Sequence, residues 1–303
     1  MIIDHITHQL AKKNILLNKL TNLKKRKKIV EVTGINKLYK VNENEDILSL
    51  AISSTKKIKG KINNMDAIIF VTQTPKYNIP PNSFLIQKEF KIKKECMIFD
   101  INQGCSGYIY ALSIANGLFK SQNFKKILII TGDNYSRYSK KLNVKMIFSD
   151  CATSTIVKKS KKKIFFEFYS DGNLNHQLKQ KNNNYNSSIN SNEIIMNGTE
   201  IFRFTINTVP TKIEEFLKNK KIKKSDIDYF LFHQASQIVI DNIVRKLKIN
   251  KQKTIQNLHS YGNTVSSSIP LIISNNKKKL KNKKLIFCGF GVGLSLGICY
   301  VET

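Results

Sequence analysis

The sequence predicts an α/β protein, and three observations carry that expectation. Short apolar runs of strand length alternate with helical patterns along the chain. One stretch, Cys105–Phe119, is apolar nearly all round, which marks a buried helix rather than a surface one. Seven of the 13 glycines fall in three short stretches, around 104–107, at 262 and across 289–297, where the backbone must turn tightly or approach something closely.

In the first half, Ile2–Ile6, Ala67–Thr72, Met97–Ile101 and Ile127–Thr131 read as strands. The buried helix lies between the last two, so this part reads as parallel strands with a right-handed crossover. Phe165–Asn192, asparagine-rich towards its end, reads as a surface loop. In the second half Glu200–Lys218 has helical periodicity, with Pro210 expected to force a kink or a new first turn. Ile227–Phe232 reads as a strand and Ser236–Lys248 as a helix. Lys284–Cys288 and Gly297–Val301 read as a pair of strands closing the sheet. Two similar α/β halves, 1–160 and 161–303, are the expected organisation.

Composition narrows the class. With 303 residues, 41% of them hydrophobic and 24% charged, the chain can bury a sizeable core and is not wholly disordered. No apolar run approaches the ~18 residues of a membrane span, and the first thirty residues lack the order of a signal peptide. Five cysteines without a C-x-x-C pair exclude a disulfide framework and argue against a structural metal, so no metal is expected and the cytoplasm is the expected compartment. The formal charge of +30 would suggest nucleic acid, yet only Arg26, Arg137, Arg203 and Arg245 are arginines. The lysines are scattered in twos and threes without interleaved aromatics, which fits a solvated surface and excludes nucleic acid as the expected partner.

The chemistry concentrates at the glycines. In FDINQGCSGYIYALSIANGLF, Cys105 follows a strand and a polar glycine turn and opens the buried helix. A thiolate there is favoured by the helix dipole and free N–H groups, as a nucleophile requires. In LFHQASQIVIDNIVRKL, His233 leaves a strand at the edge where open α/β folds bind ligands. In NLHSYGNTVSSSIP, Asn263 follows Gly262. Cys96, Cys151, Cys288 and Cys299 sit in or beside strand-like runs and read as packing.

These stretches together resemble the active-site motifs of the thiolase-fold condensing enzymes, specifically the β-ketoacyl-acyl-carrier-protein synthase III family. VTGINKLYK, IPPNSFLIQ, FSDCATSTIV, IIMNGTEIFRF and FCGFGVGLSLG extend the likeness over nearly the whole chain. The resemblance implies two thiolase-like halves in an αβαβα arrangement. It also implies a homodimer, no tightly bound cofactor, and acyl-carrier-protein or coenzyme A thioesters as substrates. Residue by residue, it makes Cys105 the acyl acceptor and His233 and Asn263 the donors that stabilise the enolate left when a malonyl thioester loses carbon dioxide. The backbone loop Gly291, Val292 and Gly293 would complete the oxyanion site. Arg203, Arg245 and Lys246 would face an acidic carrier protein, and Ile79 would reach the partner subunit's acyl pocket.

This chain also departs from the family. Lys28 and Val32 stand where a tryptophan and an arginine usually grip coenzyme A, which favours delivery by a carrier protein. Ile238 replaces a common arginine, and Val292 replaces a glycine of the oxyanion loop. Of the rival readings, a papain-type protease lacks its C-G-S-C-W signature. A degradative thiolase wants a cysteine two residues beyond Cys288. A catalytically dead partner subunit would have lost Cys105 or His233. Acyl transfer to an alcohol or amine without decarboxylation is the alternative that keeps all three residues.

Overall fold

The computed structural model describes residues 1–17, 23–138, 142–180 and 194–303. Nine of its strands build two sheets. The first has the order β1-β7-β6-β4-β5, from β1 (Ile2–Leu10), β4 (Ala67–Val71), β5 (Met97–Ile101), β6 (Lys126–Asp133) and β7 (Cys151–Lys158). The second has the order β11-β12-β13-β8, from β8 (Ile164–Ser170), β11 (Tyr229–Phe232), β12 (Lys284–Gly291) and β13 (Ser295–Glu302). Two short ribbons pair β2 (Lys13–Leu16) with β3 (Lys37–Lys40), and β9 (Leu178–Gln180) with β10 (Ile194–Met196). The helices are α1 (Leu23–Thr33), α2 (Ile47–Lys56), α3 (Asn82–Phe90), α4 (Gly107–Ser121), α5 (Leu142–Lys145), α6 (Gly198–Asn219), α7 (Gln237–Leu247), α8 (Leu258–Tyr261) and α9 (Ser268–Asn275).

Side-chain alternation along the strands explains the layering. On β4, Ala67, Ile69 and Val71 face one core while Ile68 and Phe70 face another. On β12, Leu285 and Phe287 join the first core while Ile286, Cys288 and Phe290 join a third. The shared core lies between the sheets and is filled by α4, which touches β4 and β6 on one side and β12 and β13 on the other. Helix α9 joins it, against β1, β7 and β11. Helices α2 and α3 cover the outside of the first sheet, and α6 and α7 the outside of the second. The result is the αβαβα stack. Strands covered on both faces read as unbroken apolar runs, and a helix between two sheets must be apolar all round.

Local signals set the helix starts. Asp46 and Ser49 form a reciprocal capping box on α2, at 2.8 and 3.0 Å. Pro81 cannot cap α3, so Asp100 of β5 accepts instead from the backbone N–H groups of Asn82 and Ser83, at 2.7 and 2.9 Å.

Three expectations are corrected. The sheets are mixed rather than parallel: β4 runs parallel to β5 and β6, and β11 to β12, but β7 is antiparallel to β6 and β1, and β13 to β12 and β8. The short Val292–Leu294 connection makes β12 and β13 a hairpin, which can only be antiparallel. Second, Ile164–Ser170 is a strand and not the start of a loop. Its aromatics alternate, with Phe165 stacked on Tyr300 of β13 and Tyr169 on Phe204 of α6. The asparagine-rich part expected to be a loop, 181–192, lies outside the described residues. Third, α6 is one helix from Gly198 to Asn219, so Pro210 does not begin a new first turn. A proline inside a helix costs about 3 kcal/mol, and burial of Phe204, Val209, Ile213, Phe216 and Leu217 along one face offsets it.

Strand β12 crosses the turn that carries Cys105 so closely that a Cβ at Gly289 would stand 2.6 Å from the Cys105 carbonyl oxygen and 2.8 Å from the Ser106 Cα. Both obstacles are backbone and cannot rotate away. Gly289→Ala should therefore lose about 1–3 kcal/mol or more of stability, measured as a lower urea midpoint. An unchanged midpoint would contradict this close approach.

Candidate active site

Cys105 stands just before α4, with Ser106 at the N-cap. His233 follows β11, and its backbone N–H donates to the Cys288 carbonyl at 2.9 Å, which extends the parallel pairing by one residue. Asn263 follows Gly262, whose φ of 65° and tight contacts with Leu38 and Ser149 suit only glycine. The Asn263 backbone is locked to Ile147 and Ser149, at 3.0 and 2.8 Å. All three side chains line one cavity of about 430 Å³ whose wall is mostly apolar, including Phe148, Leu178, Met196, Phe202 and Phe290. Gly291 and Val292 line it too. A Cβ at Gly291 would lie 2.9 Å from the Cys105 Sγ, so the loop can pass the sulfur only as glycine.

The electrostatics differ from the sequence expectation of a dipole-lowered thiolate. Backbone hydrogen bonds from Cys105 itself and from Val292 favour the thiolate, but burial outweighs them and pushes the thiol up to about 12, with the nearby Asp133 adding to the rise. Cys105 is therefore a thiol at neutral pH. Burial also drives His233 down to about 3, against a backbone hydrogen bond involving Val265, so the imidazole is neutral. Its ring stands edge-on to Phe290, with 5.5 Å between centroids, and its Nδ1 has no hydrogen-bond partner among the described residues.

Asn263 is oriented by Val265, whose backbone N–H donates to the carboxamide Oδ1 at 2.9 Å. Only the oxygen can accept that bond, so the Nδ2 donors are what the carboxamide offers the cavity. Val265 holds this position at a φ of 51°, a left-handed conformation that costs a β-branched residue about 1–3 kcal/mol. The Ser268 hydroxyl secures its carbonyl at 2.9 Å.

Four residues of the site were not singled out from the sequence: Gln73, Asp133, Tyr135 and Val265. Asp133, at the end of β6, accepts from the Gln73 backbone N–H at 2.8 Å and from the Ser266 hydroxyl at 2.5 Å. Gln73 and Tyr135 follow β4 and β6 at the strand ends where ligands gather in open sheets, a signal the sequence carries.

The remaining candidates lie elsewhere. Arg203 on α6 pairs with Glu200 at 3.2 Å, and Arg245 on α7 holds Asn242 at 2.7 Å. Lys246 on α7 reaches across to Asn207 on α6 at 2.9 Å, one helical turn after Arg203. Val32 and Ile238, both exposed, line the cavity; Lys28 is exposed and does not. Ile79, 85% exposed, lies outside the cavity wall of its own chain. Gly293 lines a separate, more polar hollow beside Ser295. Among the described residues no group of three His, Cys, Asp or Glu side chains is placed to hold a metal ion.

Comparison with known proteins agrees with this geometry. Residues 99–172 match the family model of 3-oxoacyl-[acyl-carrier-protein] synthase III, and residues 217–303 match the model of its C-terminal part. A β-ketoacyl-[acyl-carrier-protein] synthase III of Clostridium botulinum is 36% identical over 277 residues, covering 85% of this chain and 84% of that protein. The Clostridium novyi protein of the same name is 33% identical, covering 90% of this chain and 89% of its own. The crystal structure of a 3-oxoacyl-(acyl-carrier protein) synthase from Burkholderia xenovorans superposes with a TM-score of 0.94 at 26% identity, over 99% of this chain and 93% of that one. That of 3-oxoacyl-[acyl-carrier-protein] synthase III from Aquifex aeolicus gives 0.88 at 26% identity, over 99% of both.

Burial pushes Asp133 up to about 7, while its hydrogen bonds from Ser266 and Gln73 pull the other way. The folded chain thus keeps a proton there that the unfolded chain releases near pH 4, and this contribution to stability falls as pH rises from about 4 to 7. Asp133→Asn lacks that dependence. Its melting temperature minus that of the unmodified protein should therefore become more positive between pH 4 and 8, by the equivalent of up to roughly 4 kcal/mol; a difference constant with pH would contradict the raised carboxyl.

Proposed function

The chain belongs to the 3-oxoacyl-[acyl-carrier-protein] synthase III family, and on that premise we propose how its residues carry out the reaction. It is a condensing enzyme, an acyltransferase that joins an acyl group to a malonyl unit on acyl carrier protein. The Cys105 sulfur attacks the carbonyl carbon of an acyl thioester, a new thioester forms on Cys105, and the donor thiol departs with the proton that Cys105 gives up. A malonyl thioester then enters. Its carboxylate leaves as carbon dioxide, and the electron pair of the broken C–C bond passes to the thioester oxygen as an enolate. His233 and the Asn263 Nδ2 donate hydrogen bonds to that oxygen. The enolate carbon attacks the acyl carbonyl on Cys105, whose oxyanion is held by the backbone N–H groups of Cys105 and Val292. Collapse releases the β-ketoacyl product, and the expelled sulfur takes up one proton.

The observation that supports this reading most is the neutrality of both donors around one apolar cavity. An imidazolium would pair with the malonyl carboxylate and hold it back; a neutral imidazole and an amide stabilise only the charge that develops. Burial also lowers the basicity of the His233 imidazole, which disfavours the general-base role that transfer to an alcohol or amine would need. On this reading residues 1–160 supply the nucleophile and 161–303 the donors.

Arg203, Arg245 and Lys246 lie on adjoining exposed faces of α6 and α7 and would dock an acidic carrier protein. Val32 offers a nucleotide phosphate no charge, which favours an acyl group that arrives on a carrier. A homodimer fits the unpaired edge β5 and the exposed Tyr77, Ile79, Phe84 and Met97 around it. No described helix is long and apolar enough to cross a membrane. Five free thiols suit a reducing cytoplasm, where we place the protein.

Intact-protein mass spectrometry after mixing with acetyl thioester should find the acyl adduct on the unmodified chain and none on Cys105→Ala. His233→Ala and Asn263→Ala should still be acylated but release carbon dioxide from malonyl-carrier protein about 10²–10³-fold more slowly. Acylation of the Cys105 variant would remove the nucleophile assignment, and full-rate decarboxylation by the other two would remove theirs. Light scattering should give twice the 34.8 kDa chain mass, and Met97→Asp should shift that towards the monomer. A monomeric unmodified protein would refute the edge-to-edge arrangement.

A further inference from the structure

We propose that Tyr135, braced by Gln73, limits the length of the acyl group that Cys105 can carry, admitting short groups and excluding longer ones. This rests on the reading of Cys105 as the acyl acceptor. An acyl chain on the sulfur must extend into apolar surroundings, and the fold provides them. Cys105 belongs to one buried cluster with Tyr135, Val144, Phe148, Ile194 and Val265. Within it Tyr135 is the one described side chain that ends in a polar group. Its ring stands edge-on to Phe148, with centroids 5.1 Å apart, and its hydroxyl donates to the Gln73 Oε1 at 2.5 Å.

Gln73 cannot yield easily. Its backbone N–H is held by Asp133 at 2.8 Å, and its Nε2 donates to the Asn102 Oδ1 at 3.2 Å. Its Oε1 lies only 2.5 Å from where a Cβ on Gly104 would be, so the amide is wedged against the turn beside the nucleophile. Beyond the brace is a second hollow of about 160 Å³, which shares Gln73, Tyr135, Leu178 and Val292 with the catalytic cavity and adds the polar Asn102 and Lys179. Tyr135 and Gln73 thus form a partition between an apolar space that suits a short alkyl group and a polar one that does not. A longer chain would have to displace the ring and break the hydroxyl–amide bond.

The test measures rates of Cys105 acylation by mass spectrometry, using S-acyl-pantetheines of two, four, six and eight carbons, whose thiol arm is common to coenzyme A and carrier protein. The unmodified protein should react with the acetyl donor far faster than with the octanoyl donor. Tyr135→Leu and Tyr135→Ala should raise the octanoyl-to-acetyl rate ratio by roughly tenfold or more. Tyr135→Phe, which keeps the ring and loses only the brace, should raise it less. Equal rates for all donors in the unmodified protein, or an unmodified ratio in Tyr135→Leu with acetyl transfer intact, would overturn the proposal. If the Leu and Ala variants lose acetyl transfer, Tyr135→Phe decides: a raised ratio supports the partition and an unchanged one overturns it. No adduct from any donor would instead remove the acyl-enzyme reading, and this inference with it.

Discussion

One buried carboxylate holds together the loops on which the site is built. Asp133 ends β6, accepts from Gln73 beyond β4, and accepts from Ser266 in the segment that carries Asn263 and Val265. The first sheet supplies the strands, and Ser266 lies at the start of the path into α9. Two hydroxyl contacts continue the tie nearby, with Thr131 bonded to Thr153 at 2.7 Å and to Ser267 at 2.9 Å. Loops that meet at strand ends are otherwise free to drift. Here a fully enclosed carboxyl that must keep its hydrogen bonds fixes them relative to one another.

Burial does a second thing at the same place. By excluding water it makes both the thiol and the imidazole neutral, so the site stores no ion pair between them. The chemistry then depends on donors that are already aimed: the Val292 and Cys105 amides, the Asn263 carboxamide and the His233 ring. Such preorganised dipoles need no rearrangement when charge appears, and in an apolar cavity they act with little screening. The strained backbone of Val265 belongs to the same logic, since its N–H aims Asn263.

Much of the fold was legible in the residues. Strands covered on both sides appear as unbroken apolar runs, and α4 announced its position between sheets by being apolar nearly all round. Strand direction was not legible, because apolar pattern alone does not distinguish parallel from antiparallel pairing. Strand β8 was hidden by Glu167 in the middle of an aromatic alternation and by the asparagines that follow. At the site, Cys105, His233 and Asn263 stood out through their glycine neighbours and through the resemblance, and they line one cavity. Gln73, Asp133 and Tyr135 did not stand out, since a polar residue after a strand is commonplace until its partners are known. The burial that opposes the thiolate was not legible either: the helix dipole is a local feature visible in sequence, whereas desolvation is a property of the folded surroundings.

The placement of α4 has an evolutionary consequence. Helix α4 is gripped by β4 and β6 on one flank and by β12 and β13 on the other, and only a narrow stripe that includes Ile114 and Gly117 opens to solvent. An added or lost methylene in either sheet presses on a flank of the helix whose first turn adjoins the one that presents the sulfur. Sequence drift in the middle layer should therefore proceed by compensating pairs, one substitution in each sheet, while the outer layers accept single changes.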